Sequence, residues 1–513
     1  MKKYFLLVFG FLLLHSLFVD AQIGSLDPSF DTDGTATTLI ALGNSTAYSV
    51  ALQNDGKLVV VGYARDVFGS YMALTRYLSN GALDLSFDTD GIVTTDISPN
   101  DDVAYDVAIQ TDGKIVVCGS SEQTATDPQI TIVRYLPNGS IDSSFDGDGI
   151  AVAFENSQDQ GIGSSVQIQT DGKILVAGYL QGKFTVIRLL SNGHLDSTFN
   201  ADGILKYHFY SGGYSDAQQV NLQADGKIII SGYASDVSGV QAGLVIVRLD
   251  SIGNFDTTFN HTGIVKVIAT SPFLKLNSLL LQSDQKIVLT GSTIYANDGK
   301  VLVYRFLPDG TPDSSFATIG STYRIVGDDW TSEFSGAIQP DGKIVLCGVS
   351  HDGSYKIGLI RFQSNGTPDS MVGGNGLVYA PTYMYASSQM LLQPDGKFVV
   401  VGTGTYTIGA NIFYTTRLMA TFPLELPTFT KANEFTIGPN PNHGNFTVNF
   451  SEQTQHAQLI LFDENGKRIH QTSSNAENKV MISLPGLPPG NYWLEVAESN
   501  HVSKRRQVTL LAD

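Results

Sequence analysis

A hairpin signature, Gln-x-Asp-Gly-Lys (with Gln285 for the Gly in the fifth copy) followed by four strand residues and a Gly, returns along this chain with its Lys at Lys57, Lys114, Lys173, Lys227, Lys286, Lys343 and Lys397. The successive intervals are 57, 59, 54, 59, 57 and 54 residues. A period that regular is the mark of a repeat architecture, in which each copy buries its apolar faces only against its neighbours. Residues 91–148 serve as the type. Gly91–Ile97 reads as a strand, Ser98–Ala104 as a polar loop, and Tyr105–Gln110 as a second strand. Thr111-Asp112-Gly113 is a tight turn, with Asp-Gly expected to supply the positive-φ positions. Lys114–Ser120 is apolar almost throughout and predicts a strand buried on both faces. Ser121–Gln129 is a second loop, and Ile130–Tyr135 a fourth strand.

Four short strands per copy form one antiparallel meander, and a ring of such sheets buries both faces of each. The fold class is therefore all-β: a seven-bladed β-propeller over 22–421, followed by a small Ig-like β-sandwich over 434–513, with 422–433 as linker. Composition agrees, since charged residues are 16% of the chain and Gly numbers 52, as a turn-rich β protein requires.

Two further features recur with the turn. The last strand of each meander carries an Arg: Arg76, Arg134, Arg188, Arg248, Arg305, Arg361 and Arg417. A patterned connector follows, with Phe87, Phe145, Phe199, Phe259 and Phe316, and Met371 near the equivalent place in the last full copy. A residue repeated in every blade serves every blade, whereas an active site is one place. Each Arg is expected to pair with a connector Asp, such as Arg134 with Asp142 or Asp146, and each Phe to fill the wedge between blades. The connector also precedes the first blade, as Leu26-Asp27-Pro28-Ser29-Phe30-Asp31, while the last blade ends at Arg417-Leu418 without one. The N-terminal copy is expected at the seam between blades seven and one.

The Asp-Gly-Lys turns and connectors lie at one end of the blades and the variable loops at the other. Specificity is expected in those loops, 98–104, 121–129, 155–163, 208–216, 234–243 and 326–334. The last holds Asp328-Asp329-Trp330, where Trp330 either packs at a strand start or stacks on a sugar.

Candidate chemistry is sparse. Asp31-x-Asp33-Gly34, Asp88-x-Asp90-Gly91, Asp146-x-Asp148-Gly149 and Asn200-x-Asp202-Gly203 resemble part of a calcium loop, without the twelve-residue spacing or its closing Glu. Asp and Asn also favour such turns through bonds to their own backbone. Zinc-protease, nucleophile-elbow and phosphate-loop motifs are missing, Gly402-x-Gly404 has no helix after it, and His208, His261 and His351 are scattered. The sequence selects no catalytic, cofactor-binding or metal-binding residue. Cys118 and Cys347 occupy the same repeat position in copies two and six, too far apart for a bridge, and are expected as two buried thiols.

Residues 1–21 read as a signal peptide: Lys2-Lys3, an apolar run over Tyr4–Val19, and a cleavage site before Gln22. The run is short for a membrane anchor, and no transmembrane segment is expected in the mature chain. A net charge of −18 disfavours nucleic acid and anionic membrane surfaces as partners.

Beyond 434 the texture changes. Pro439-Asn440-Pro441-x-x-Gly444-x-Phe446, Leu461-Phe462-Asp463-x-x-Gly466-Lys467 and Leu487-Pro488-Pro489-Gly490-x-Tyr492 follow one another in order. Strands are expected at 446–450, His456–Phe462, Lys479–Leu484, in the segment after Gly490, and at Gln507–Leu511, with Lys504-Arg505-Arg506 ahead of the last. These three motifs resemble the C-terminal sorting domain of type IX secretion substrates of Bacteroidetes. The resemblance implies handling by the type IX machinery, removal of the tail, and release or surface anchoring; the end at Leu511-Ala512-Asp513 lacks the basic residues many such tails carry. The repeat resembles the delta-60 repeat family, which implies a propeller in exported proteins and no known activity. The functional expectation is a secreted or surface propeller that binds a polysaccharide or protein through its variable loops. The alternative is an extracellular carbohydrate-active enzyme with its site at the channel. They differ in one observable: an enzyme needs Asp, Glu, His or Tyr residues that break the repeat and converge at a channel mouth.

Overall fold

A computed structural model describes residues 23–419 and 435–511, apart from 41–43, 125–126, 154–158, 269–273, 294–298, 327–329, 332–333, 352–353 and 406–409 in the first part and 441–443, 451–456, 464–467, 475–478, 485–486 and 499–503 in the second. The signal-peptide and linker segments lie outside the described residues. The strands up to Leu418 form seven antiparallel sheets, and those from Phe435 onward form two more in a separate unit.

Each of the seven sheets is a blade of a propeller. Blade two shows the plan: Asp102–Ile109, Ile115–Glu122, Pro128–Tyr135 and Ile150–Ala153, paired in that order. The expected grouping is corrected here. Ile92–Thr95, read from the sequence as the first strand of the meander that follows it, is instead the outer strand of blade one, with Met72 opposite Thr95. The connector is the reason. It folds back on the strand before it, the Asp84 amide donating to the Arg76 carbonyl and the Arg76 amide to that of Gly91, so the chain emerging from it must pair with that strand. The variable loops are shorter than expected too: the strands Asp102–Ile109, Ile115–Glu122 and Pro128–Tyr135 take in 102–104 of the first and 121–122 and 128–129 of the second.

Between neighbouring blades lies one apolar cluster each. Phe145 is buried in the cluster joining blades two and three, with Val116, Ile132, Val166 and Val176, and Phe199 in that joining three and four. The recurrent Arg lies over this ring: Arg134 Cζ is 4.6 Å from the Phe145 centroid and Arg76 is 4.4 Å from that of Phe87. Of the two candidate partners, Asp142 pairs with Arg134, Nε to Oδ2 at 2.8 Å, and the turn lysine joins, Lys114 Nζ to the same oxygen at 3.3 Å. Arg134 Nη1 then donates to the carbonyl of Ser191 in blade three. In blade six Met371 is 67% exposed, and the buried Val372, three residues after Asp369, takes the wedge position instead. It sits where Phe145 follows Asp142.

The ring closes through the N-terminal copy. Arg417 pairs with Asp27 at 2.7 Å and stacks on Phe30 at 4.7 Å, and Lys397 reaches Asp27 at 3.1 Å. Thr35–Thr38 then pairs with Asn411–Leu418 as the outer strand of blade seven. The N-terminus therefore supplies both the expected wedge and a strand. Phe30, Val60, Val399 and Phe413 share one cluster across the seam.

The hairpin turns correct a second expectation. In Gln110–Lys114 only Gly113 takes positive φ, at 84°, and Asp112 instead accepts the Lys114 amide at 3.2 Å. The fifth copy has Gln285 where the others have Gly, and holds it at φ 66°. A side chain in the left-handed region costs about 1–2 kcal/mol.

The second unit is a two-sheet sandwich. Phe435–Gly438, Asn445–Phe450 and Lys479–Ser483 make one sheet; Arg468–Ser474, Ala457–Phe462, Gly490–Glu498 and Lys504–Leu510 make the other. Phe446, Val448, Leu461, Leu494 and Val508 share its core. Lys504 to Arg506 stand inside the last strand rather than ahead of it, because its ladder with the preceding strand runs on to Val496 opposite Lys504. The expected turn at 464–467 lies outside the described residues.

Three outcomes follow. Deleting 24–34, or changing Asp27→Ala, opens the seam; the point change strands a buried Arg417 and is expected to cost about 3–5 kcal/mol by denaturant titration. Unchanged stability of the deletion would refute the closure. Gln285→Gly is expected to raise stability by about 1 kcal/mol. Burial alone would raise the pKa of Asp27, Asp84, Asp142, Asp196 and Asp256, but hydrogen bonds from the neighbouring Ser or Thr, together with the Arg and Lys charges, outweigh it and hold them at about 2, below the ordinary 3.8. Their contribution is therefore complete above about pH 4 and lost as the pH falls toward 2, so the urea midpoint should fall steeply across that window.

Candidate functional site

The first strand of each blade lines the centre of the ring, and each packs against the first strands of its two neighbours. These strands carry a β-bulge, with register shifts at Ala47/Ser49, Ala104/Asp106, Gly163/Ser165, Ala217/Gln219, Leu276/Ser278 and Ser387/Gln389. The Gly that ends the repeat signature permits it. A Cβ on Gly62 would lie 1.8 Å from the Thr46 carbonyl oxygen, and one on Gly119 1.9 Å from that of Val103. No L side chain fits there, so the glycine serves the close approach of two backbones.

After each bulge comes a polar residue: Ser49, Asp106, Ser165, Gln219, Ser278, Ser335 and Gln389, eight positions before the turn lysine. They bond from blade to blade. Gln389 Oε1 accepts the Val50 amide at 2.6 Å, Asp106 Oδ2 that of Val166 at 2.9 Å, Gln219 Oε1 that of Leu279 at 2.5 Å, and Ser278 Oγ that of Gly336 at 2.8 Å. Burial pushes the Asp106 pKa up, against hydrogen bonds from Ser49, Val166 and Val107. Sequence reading overlooked this belt, although its signal was present: one column of the repeat is polar in every copy.

Toward the variable-loop end, the wall stops repeating. Tyr48 and Tyr105, on the inner strands of blades one and two, have ring centroids 5.2 Å apart, and Tyr63 lies 6.0 Å from Tyr48. Tyr179 of blade three and Tyr214 of blade four meet edge to face at 5.9 Å. Asp216 lies two residues after Tyr214 on the same strand, and Glu122 ends the second strand of blade two. Burial is the main cause that raises the Tyr179 pKa, followed by the charges of Asp216 and Glu122. Tyr105 rises to about 12 from burial first, then from Tyr179 and Glu122 among its neighbours. Asp216 is raised by burial, while Gln218 Nε2 donates to it at 2.8 Å and the Tyr233 amide at 3.3 Å. Burial raises Glu122 as well, and Asp101, Asp102 and Asp127 add repulsion. An aromatic arc beside protonatable carboxylates can stack on a flat ligand, bond its polar groups and move a proton.

The other sequence candidates fall elsewhere. Asp328 and Asp329 lie outside the described residues, and Trp330 begins a two-residue strand opposite His351. The connector carboxylates are occupied with turns: Asp33, Asp90, Asp148 and Asp202 accept the amide two residues on, at 2.9 Å each. Asp31, Asp88, Asp146 and Asn200 take positive φ between 46° and 50°, or 45° for Asp31. Among the described residues no three His, Cys, Asp or Glu side chains gather as for a metal. Cys118 and Cys347 are free and buried. At the opposite end, a groove of about 580 Å³ between blades five and six is lined by Gln282, Lys286, Arg305 and Gln339, all members of the repeat. Among the described residues there is no helix long and apolar enough to cross a membrane.

Comparison with known proteins agrees with this architecture. Residues 53–87, 110–145, 169–199, 223–259, 282–316 and 339–370 match a family model described as a domain of unknown function (DUF5122) beta-propeller. Each match starts at the turn glutamine or beside it. The seventh copy is divided between the two ends of the ring, its turn at Gln393 and its connector at Asp27. Residues 436–509 match a secretion system C-terminal sorting domain. No curated protein matches the chain. Among solved structures, the beta-propeller domain of the Trilobed protease from Pyrococcus furiosus is similar at 12% identity, over 73% of this chain and 95% of that one, with a TM-score of 0.39. A catalytically inactive virginiamycin B lyase from Staphylococcus aureus is similar at 12% identity over 74% and 98%, TM-score 0.42, and polysaccharide lyase Uly1 at 11% over 74% and 91%, TM-score 0.44. At these values the likenesses carry no argument about function. The chain thus carries DUF5122 beta-propeller repeats and a type IX sorting tail that directs it to secretion or the cell surface.

Proposed function

We propose that this exported propeller is a binding module that holds a polysaccharide chain at the variable-loop mouth of its channel. The observation that carries the reading is the tyrosine arc of Tyr48, Tyr63, Tyr105, Tyr179 and Tyr214, whose columns hold tyrosine in some blades and other residues in the rest. Sugar rings stack their C–H faces on aromatic side chains, and a wall of several tyrosines across adjacent blades suits an extended chain better than a compact solute. The signal peptide belongs to the same reading: export begins with residues 1–21 and is completed through the tail.

A second reading is an extracellular carbohydrate-active enzyme at the same mouth. Asp216, beside Tyr214 and Tyr179 and with a raised pKa, has the character of a proton-transfer group. A glycan array probed with residues 22–421, run beside a panel of hydrolase and lyase substrates, tests both. Tyr105→Ala and Tyr179→Ala are each expected to weaken glycan binding about tenfold or more, a loss on the scale of one stacking contact, with the fold unchanged by circular dichroism. Retained binding in both variants would overturn the assignment of the site. Turnover of a substrate that is lost in Asp216→Asn would establish the enzyme.

A further inference from the structure

Tyrosine pairs at the variable-loop mouth are not confined to blades one to four. Tyr355 opens the third strand of blade six, Tyr385 lies near the start of the inner strand of blade seven, and their ring centroids are 6.2 Å apart at an interplanar angle of 55°. Both strand starts are at the variable-loop end, because inner and third strands run toward the turns and connectors. Three tyrosine pairs therefore straddle blade interfaces: Tyr355 with Tyr385 between six and seven, Tyr48 with Tyr105 between one and two, and Tyr179 with Tyr214 between three and four. Round the ring each pair stands two blades from the next. None of the six rings is buried, and Tyr355 and Tyr214 are 39% and 42% exposed. Tyrosines that pack a blade differ: Tyr77 and Tyr135 are fully enclosed, each with its hydroxyl 2.7 Å from a threonine, Thr38 or Thr95.

Stations at alternate interfaces suit a ligand that reaches from one to the next, which a compact solute does not. Stacking on tyrosine needs a pyranose face of C–H bonds, and equatorial substituents leave both faces clear. Such sugars joined through equatorial bonds make an extended ribbon. A net charge of −18 works against an anionic chain. Resting on the binding reading above, we infer that the mouth holds a neutral, equatorially linked β-glucan or xylan at three stations at once, with Tyr355 and Tyr385 forming a station not counted in that reading. Stations joined by one chain act through effective concentration, so ligand length sets the affinity.

The test titrates the full secreted chain with cello- and xylo-oligosaccharides from disaccharide to octasaccharide, and with oligogalacturonate of matched length. Affinity for the neutral series should climb about tenfold for each further station reached and then level off. Tyr385→Ala should weaken the octasaccharide about tenfold and the disaccharide less than about twofold, since a short ligand keeps two other stations. Tyr385→Phe, which keeps the ring, should restore most of the loss. A purely structural role would weaken long and short ligands alike and lower the thermal midpoint, which would overturn the inference. Affinity independent of length would overturn it too, as would an octasaccharide indifferent to both Tyr355→Ala and Tyr385→Ala while Tyr105→Ala still weakens it; the binding site would then stand without its third station. Tighter binding of oligogalacturonate would overturn the neutral ribbon. Binding of neither neutral series would also overturn it; glycan-array binding still lost in Tyr105→Ala would leave the binding reading intact, and an array without any binding would remove the site itself.

Discussion

One aspartate oxygen per blade organises the propeller. In blade two, Asp142 Oδ2 receives Arg134 at 2.8 Å and Lys114 at 3.3 Å, so the last inner strand, the hairpin turn and the connector meet on one atom. The arginine then lies over Phe145 and bonds the carbonyl of Ser191 in the next blade. A buried charge is tolerated only when paired and hydrogen-bonded, and this arrangement satisfies the pair while it binds neighbour to neighbour. The same interaction between Arg417 and Asp27 closes the ring. It works across the two ends of the chain as it does within a blade, because the contact requires proximity and not continuity.

A second constraint shapes the interior. The glycine that ends each hairpin signature lets an inner strand bulge toward it, with Val103 and Gly119 too close for any side chain between them. The bulge sends a polar residue to bond the adjacent blade, and Tyr48 and Tyr105 are the residues that two of the bulges leave out of the ladder. Scaffold and site are therefore joined: the feature that links inner strands is also what presents the residues a ligand would touch.

The repeat made most of the fold legible. Period, turn, Arg, Phe and the extra N-terminal connector each named a contact that the structure contains, and the three tail motifs lie in a region that packs as a sandwich. The blade boundary was misplaced by one strand because pairing of Ile92–Thr95 depends on the connector folding back, a matter of backbone bonds at Arg76 that side-chain patterns do not display. Met371 was chosen over Val372 for a similar reason, since both are apolar and only the count from Asp369 distinguishes them. The calcium-like spacing was turn chemistry, in which Asp33 and its counterparts cap their own backbone.

Local chemistry repeated along a chain determines a local unit, and stacking such units leaves few alternatives, so the sequence by itself determined an all-β ring, its closure and its exported tail. The tyrosine arc belonged to the tertiary structure alone. Tyr63 and Tyr179 both follow the signature glycine, as Tyr233 does, and Tyr48 and Tyr105 share the column nine positions before the turn lysine, yet each alone reads as an ordinary strand residue. Tyr48 meets Tyr63 and Tyr105, and Tyr179 meets Tyr214, because neighbouring blades set their inner strands side by side, and burial raises the pKa of Glu122, Tyr179 and Asp216.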